Sequence, residues 1–165
     1  MHIKLEEKQF LELIREHQGI IYKVVSAYAS DPEEKKDLYQ EILLQSWKGI
    51  RHFRGESRFS TWLYRVCLNT VFSSKRKKST LVFPGSMQEE PAVPAQAHAQ
   101  EDLNQLHQAI RQLSEVDRAI ILLHLEGYGI GEMAAVLGIS DNHLSVKLYR
   151  IRQKLANLLK PNSHG

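Results

Sequence analysis

The chain has 165 residues, of which 42% are hydrophobic and 25% charged, which suits one domain or two small ones and argues against disorder throughout. No apolar run approaches the roughly 20 residues that span a bilayer, and a single cysteine, Cys67, excludes an internal disulfide framework and any CxxC metal or redox site. The net charge is +3, but residues 1–80 hold fifteen Lys/Arg against ten Asp/Glu, while residues 81–101 hold three acids and no base. The N-terminal stretch has neither a basic start nor an apolar core, so no secretory signal is expected and the cytoplasm is the expected location.

The first segment repeats Phe10, Leu13, Ile14, His17, Ile21, Val24, Val25 and Tyr28 at steps of three and four, which predicts a helix. Asp31, Pro32, Glu33 and Glu34 then form a helix start: a cap, a proline suited to the first turn, and acids at the positive dipole end. This second helix is expected to bury Leu38, Ile42, Leu43, Trp47 and Ile50. Its opposite face carries Asp37, Gln40, Glu41, Gln45 and Lys48. Gly55 and its serine neighbours break the pattern. A third helix is predicted from Ser57 or Ser60 to about Lys78, with Trp62, Leu63, Val66, Leu68 and Val71 among its apolar residues.

Residues 80–101 hold three prolines, a glycine and many small or polar side chains without helical or strand period, which reads as a flexible linker. Beyond it Leu103, Leu106, Ile110 and Leu113 predict one helix. Ser114 with Asp117 makes a carboxylate capping box for the next, which carries Ile120, Ile121, Leu123, His124 and Leu125. A short helix over Ile130–Leu137 should end at Gly138, and Ser140 or Asp141 should cap a longer one with the stripe Leu144, Leu148, Ile151, Leu155 and Leu158. No strand pattern of useful length occurs. The fold class is all-α: two small helical domains, 1–79 and 102–165, joined by 80–101.

The last two helices have the layout of a helix-turn-helix, whose second helix would enter a DNA major groove. Asn142, His143, Ser145, Val146, Lys147, Tyr149 and Arg150 are left on its outer faces, and residues 142–160 contain no acid. Asn and Arg suit base edges, Lys and Tyr suit phosphates. The competing reading is an ordinary helical hairpin with a charged outer face. In the first lobe, residues 53–62 interleave aromatics with arginines and feed a helix that ends in Lys75, Arg76, Lys77 and Lys78. That pattern suits unpaired bases and strand phosphates. Against it, Trp62 also fits a core position, and the four bases also suit a solvated helix end. Two basic segments at opposite ends of the chain suggest two contacts with one polyanion.

Taken together, these residues resemble the extracytoplasmic-function (ECF) group of bacterial sigma factors. One block is Asp37-Leu-Tyr-Gln-Glu-Ile-Leu-Leu-Gln-Ser-Trp47, then residues 53–65 and Asn69. The other is Leu113-Ser-Glu-Val-Asp-Arg118, then residues 125–128 and the helix-turn-helix. The resemblance implies an alternative sigma factor that binds core RNA polymerase and directs promoter-specific initiation, recognising −35 duplex DNA and helping melt the −10 element. Asp37, Gln40, Glu41 and Gln45 would dock on polymerase. Phe53, Arg54 and Asn69 would help capture a base flipped from the −10 strand. Arg58, Arg65, Lys75, Arg76, Lys77 and Lys78 would hold phosphates, and the helix from Asp141 would read the −35 element. Arg65 and Val66 stand where housekeeping relatives carry a tryptophan pair, so a stacked-tryptophan wedge is not expected. The run from Asn142 to Val146 departs from the Gly-Thr-Val pattern common in the family, so the base sequence read does not transfer.

An enzyme is a rival class. The eight histidines share no one-turn spacing, no HExxH or phosphate-cradling loop occurs, and Asp37 with Glu41 lacks a third metal ligand nearby. No catalytic residue, metal site, cofactor or small-molecule substrate is expected. The second rival is a stand-alone helix-turn-helix regulator, which would leave the Asp37 face and the Phe53 segment unexplained. An anti-sigma protein is the further partner implied, and the free chain is expected to be a monomer. Cys67, between Val66 and Leu68, reads as a buried thiol.

Overall fold

The computed structural model describes residues 7–80 and 98–160, with side chains placed for 7–74 and 104–160. Seven α-helices and one 3-10 turn lie among the described residues. The chain divides into two compact units, Met1–Gln88 and Glu89–Gly165.

The first unit contains α1 (Glu7–Tyr28), α2 (Pro32–Gly49), the 3-10 turn Ile50–His52 and α3 (Phe59–Thr80). Each of the three helices packs on the other two. Their apolar stripes meet in a core of Ile21, Val24, Ile42, Leu63, Leu68 and Val71. The α1–α2 corner is set by local chemistry: the Asp31 carboxylate accepts the Glu34 N–H at 2.8 Å, and Pro32 occupies the first turn. Trp47 corrects the expected core of α2. It is 36% exposed and lies against the Phe10 ring at 5.1 Å, because it sits near the end of a helix whose buried positions are Ile42 and Ser46.

The second unit contains α4 (His98–Arg111), α5 (Glu115–Leu125), α6 (Ile130–Leu137) and α7 (Asp141–Leu159). The last helix is the hub, packed on each of the other three. Leu144, Leu148, Ile151 and Leu155 are buried, as their spacing predicts. Leu158, expected in the same stripe, is exposed instead, next to the last residue of its helix; Leu125, which ends α5, is exposed as well. The side chain of Arg118 closes the α4–α5 corner: it donates to the carbonyls of Leu113 at 3.1 Å and Arg111 at 2.7 Å, which no longer have helical partners. The Ser114 hydroxyl accepts the Asp117 N–H at 3.2 Å, the side-chain half of the expected capping box. Helix α4 begins at His98, inside the stretch expected to be linker; residues 81–97 lie outside the described residues.

Candidate nucleic-acid interface

Along α2, the acidic face turns toward α3. Asp37, Glu41 and Gln45 line a groove with Val66, Asn69 and Thr70 of α3. The Gln45 amide donates to Glu41 Oε1 at 3.0 Å, which orients that carboxylate. Asp31, Glu33 and Glu34 also line it, and no Lys or Arg does so among the described side chains. Their role as helix-start signals masked this: nothing in a local capping pattern says which wall the next turn will face. Gln40 is exposed but stands outside the groove, one turn before Leu44, which is also exposed.

Ahead of α3, the Phe53 N–H bonds the Ile50 carbonyl at 3.1 Å and Gly55 turns the chain at φ +75°. Phe53 packs on Trp62 at 5.4 Å and on Phe59 at 6.1 Å, and Phe59 packs on His17 of α1 at 4.9 Å. A β-carbon on Gly49 would touch the Trp62 ring at 3.4 Å. Trp62 is thus a half-buried wedge between the loop and α2, which fits the core alternative. Arg54, Arg58 and Arg65 are exposed around this cluster. Asn69 is exposed too, but seven residues beyond Trp62, about 10 Å along the helix axis. The structure therefore groups Asn69 with the acidic groove and Phe53 with the aromatic cluster. Lys75, Arg76, Lys77 and Lys78 continue α3, with side chains outside the described set. Cys67 is buried, and burial raises its thiol pKa well above the usual range, as expected of an inert thiol.

In the second unit the turn between α6 and α7 is built by Gly138, whose φ of +70° is the left-handed conformation that glycine adopts without strain. Its N–H and that of Ile139 both bond the Ala134 carbonyl. The Ser140 hydroxyl then accepts the His143 N–H at 3.1 Å and starts α7. Ala134 is buried where the two helices meet. This is the geometry of a helix-turn-helix.

On α7 the sites opposite the core stripe are Asn142, Val146, Tyr149, Arg150 and Gln153, spaced to form one outward row. All five are exposed. His143 and Ser145 flank that row, and the Ser145 hydroxyl donates to the Asp141 carbonyl at 3.0 Å. Gln153 was not among the expected contacts. Its amide donates to the Tyr149 hydroxyl at 2.9 Å, and counting one more turn along the row would have found it. Lys147 differs from the others: it is half-buried beside α5, with its ammonium 3.7 Å from Asp117. No group of three metal-ligating side chains occurs among the described residues. No helix among them is long and apolar enough to cross a membrane.

Two small helical units, one with an acidic groove and an aromatic–arginine loop and one with a helix-turn-helix, fit the class of transcription initiation factors. The comparisons agree. Residues 13–80 match the model of Sigma-70 region 2, and residues 103–155 match that of Sigma-70, region 4. The chain is 28% identical to the ECF RNA polymerase sigma-E factor of Escherichia coli K12, covering 96% of this chain and 90% of that one. It is 27% identical to the RNA polymerase sigma-H factor of Pseudomonas aeruginosa, covering 94% and 89%. Its fold is similar to that of the sigma factor RpoE of Bartonella quintana, solved with the anti-sigma factor NepR. There the TM-score is 0.72 at 24% identity, covering 94% of this chain and 99% of that one.

The chain belongs to the sigma-70 family, and its relatives place it in the ECF group. It is an alternative sigma factor: its partners are core RNA polymerase and promoter DNA, and it directs transcription initiation.

Proposed function

We propose that the α2–α3 groove docks this chain on core polymerase, that the Phe53 cluster and the arginines around it hold the −10 strand, and that the outward row of α7 reads the −35 duplex. The observation that carries this reading is the separation of charge. Among the described side chains the charged groups that line the groove are all acids, whereas the exposed Arg54, Arg58 and Arg65 outnumber the one acid, Glu56, in and just beyond the aromatic loop, and Arg150 stands on the α7 row. An acidic groove repels DNA and suits a basic protein surface. Arginines beside stacked aromatics suit an unpaired strand, and an asparagine and an arginine on one helix row suit base edges. Lys75, Arg76, Lys77 and Lys78, which extend α3, supply further strand phosphate contacts. Residues 1–79 form the polymerase and −10 domain, 102–165 the −35 domain, with 80–101 joining them. The fold is shared with a sigma factor solved in an anti-sigma complex, and an anti-sigma protein is proposed as a partner here. The work is done without catalysis, in the cytoplasm, by a chain that is a monomer when free.

The test is co-elution with purified bacterial core polymerase on a sizing column. The native chain is expected to co-elute at micromolar concentration. Asp37→Arg/Glu41→Arg, which reverses two charges in the groove, is expected to elute alone while keeping its helical circular dichroism. A folded native chain that does not bind core polymerase would favour a stand-alone regulator instead.

A further inference from the structure

Asp117 and Lys147 are brought together from two helices. Asp117 stands in the first turn of α5, where the Ser114 cap fixes its backbone. Lys147 stands on α7 between the buried Leu144 and Leu148, on the flank that faces α5 rather than on the outward row. The ammonium and carboxylate are 3.7 Å apart, with the side chains only 32% and 25% exposed. Five bases lie between Ser140 and Lys160, and Lys147 is the one that pairs with an acid among the described residues.

We propose that Asp117 is a positioning residue that withholds Lys147 from DNA phosphates and so lowers the affinity of this sigma factor for non-promoter DNA. This rests on the reading of α7 as the duplex-facing helix. A base near a DNA-reading helix adds attraction that is blind to sequence. Each phosphate it neutralises releases counterions and steepens the fall of affinity with salt. A carboxylate at the same spot cancels that attraction twice, by occupying the ammonium and by repelling the phosphate it would reach. The pair lies beside the reading row, so the row keeps its base contacts while the flank stays electrically quiet. Lys147, expected from sequence to touch DNA, becomes a residue that is kept from doing so. Asp117, which the sequence presents only as half of a capping box, becomes the residue that decides it.

The experiment measures binding of the assembled holoenzyme to an unrelated duplex at several salt concentrations, and to a cognate promoter in parallel. Asp117→Asn keeps the shape and frees the ammonium. It is expected to steepen the plot of log affinity against log salt by about 0.9 and to tighten non-promoter binding roughly fivefold at 0.15 M salt, the value of one added phosphate contact. Asp117→Asn/Lys147→Gln, which leaves the site neutral as the native pair does, is expected to return to the native slope. A slope that is flatter in the double variant than in the native chain would mean that Lys147 already holds a phosphate, which overturns the proposal. So would an unchanged slope in Asp117→Asn. Arg150→Ala separates this failure from failure of the underlying reading. If it weakens DNA binding while Asp117→Asn changes nothing, only the withholding role is lost. If neither changes anything, α7 does not face the duplex and both fall. Circular dichroism of each variant excludes a helix lost through the altered first turn of α5.

Discussion

Asn69 is the residue whose surroundings most sharpen its role. Family resemblance pairs it with Phe53, yet α3 carries it two turns beyond Trp62 and sets it in the wall that also holds Asp37, Glu41 and Gln45. An asparagine amide both donates and accepts, so it can hydrogen-bond a nucleobase edge or a polymerase backbone equally well. The acids beside it decide against phosphate contact but not against a neutral base. On the strand-capture reading, Asn69→Ala removes a contact made only once the base leaves the stack. The expected outcome is open-complex formation weakened about tenfold, the cost of one lost hydrogen bond to a desolvated group. Co-elution with core polymerase should be unchanged. Permanganate footprinting of a cognate promoter, run beside the column assay, reads both. Equal loss in the two assays would move Asn69 from the strand to the docking groove.

At the scale of the helix, α2 holds one internal inconsistency. Ser46 is fully buried, and its hydroxyl has no hydrogen-bond partner among the described residues. A buried unpaired hydroxyl carries a desolvation cost, and serine is a poorer helix former than alanine. Ser46→Ala is therefore expected to raise the stability of the first unit by about 1 kcal/mol, read as a higher denaturant midpoint. A comparable drop would mean that the hydroxyl is satisfied in solution. The features that were legible in sequence were of a particular kind. The caps at Asp31, Ser114 and Ser140 and the left-handed Gly138 follow from chemistry within four residues, and the structure has all of them. Buried stripes follow from periodicity, which does not know where a neighbouring helix stops. Hence Trp47 and Leu158 were expected inside and lie outside. The start of α4 was missed for a related reason. Alanine, glutamine and glutamate after Pro94 look like low-complexity filler, yet they are good helix formers, and the helix takes them up from His98. The site shows the same division. The outward row of α7 was readable from spacing alone. The acidic wall shared by α2 and α3, the Arg118 clamp and the Asp117–Lys147 pair were not, because each joins residues whose meeting depends on how helices pack or corners close.

For the molecule as a whole, the two surfaces proposed to face DNA belong to different compact units: on the strand-capture reading Asn69 stands in Met1–Gln88, and Arg150 stands in Glu89–Gly165. On that proposal, one strand-binding surface and one duplex-binding surface on a single chain would act as a bivalent ligand, in which each contact raises the local concentration of the other without changing its intrinsic strength. Side chains that share no partner contribute independently, and their losses add in free energy to within about 0.5 kcal/mol. Arg150→Ala is expected to cost about 1–3 kcal/mol at the one base pair it reads. Asn69→Ala is expected to cost a further tenfold at melting. The double variant in holoenzyme should therefore lose promoter-complex formation by the product of the two single losses, to within about twofold. A much smaller combined loss would mean that melting proceeds only after α7 has engaged, so that removing either contact already forfeits the other. A much larger one would mean that either surface alone can hold the promoter. Multiplicative behaviour, measured by heparin-resistant complex on one promoter with all four proteins, is what two separately folded reading surfaces require.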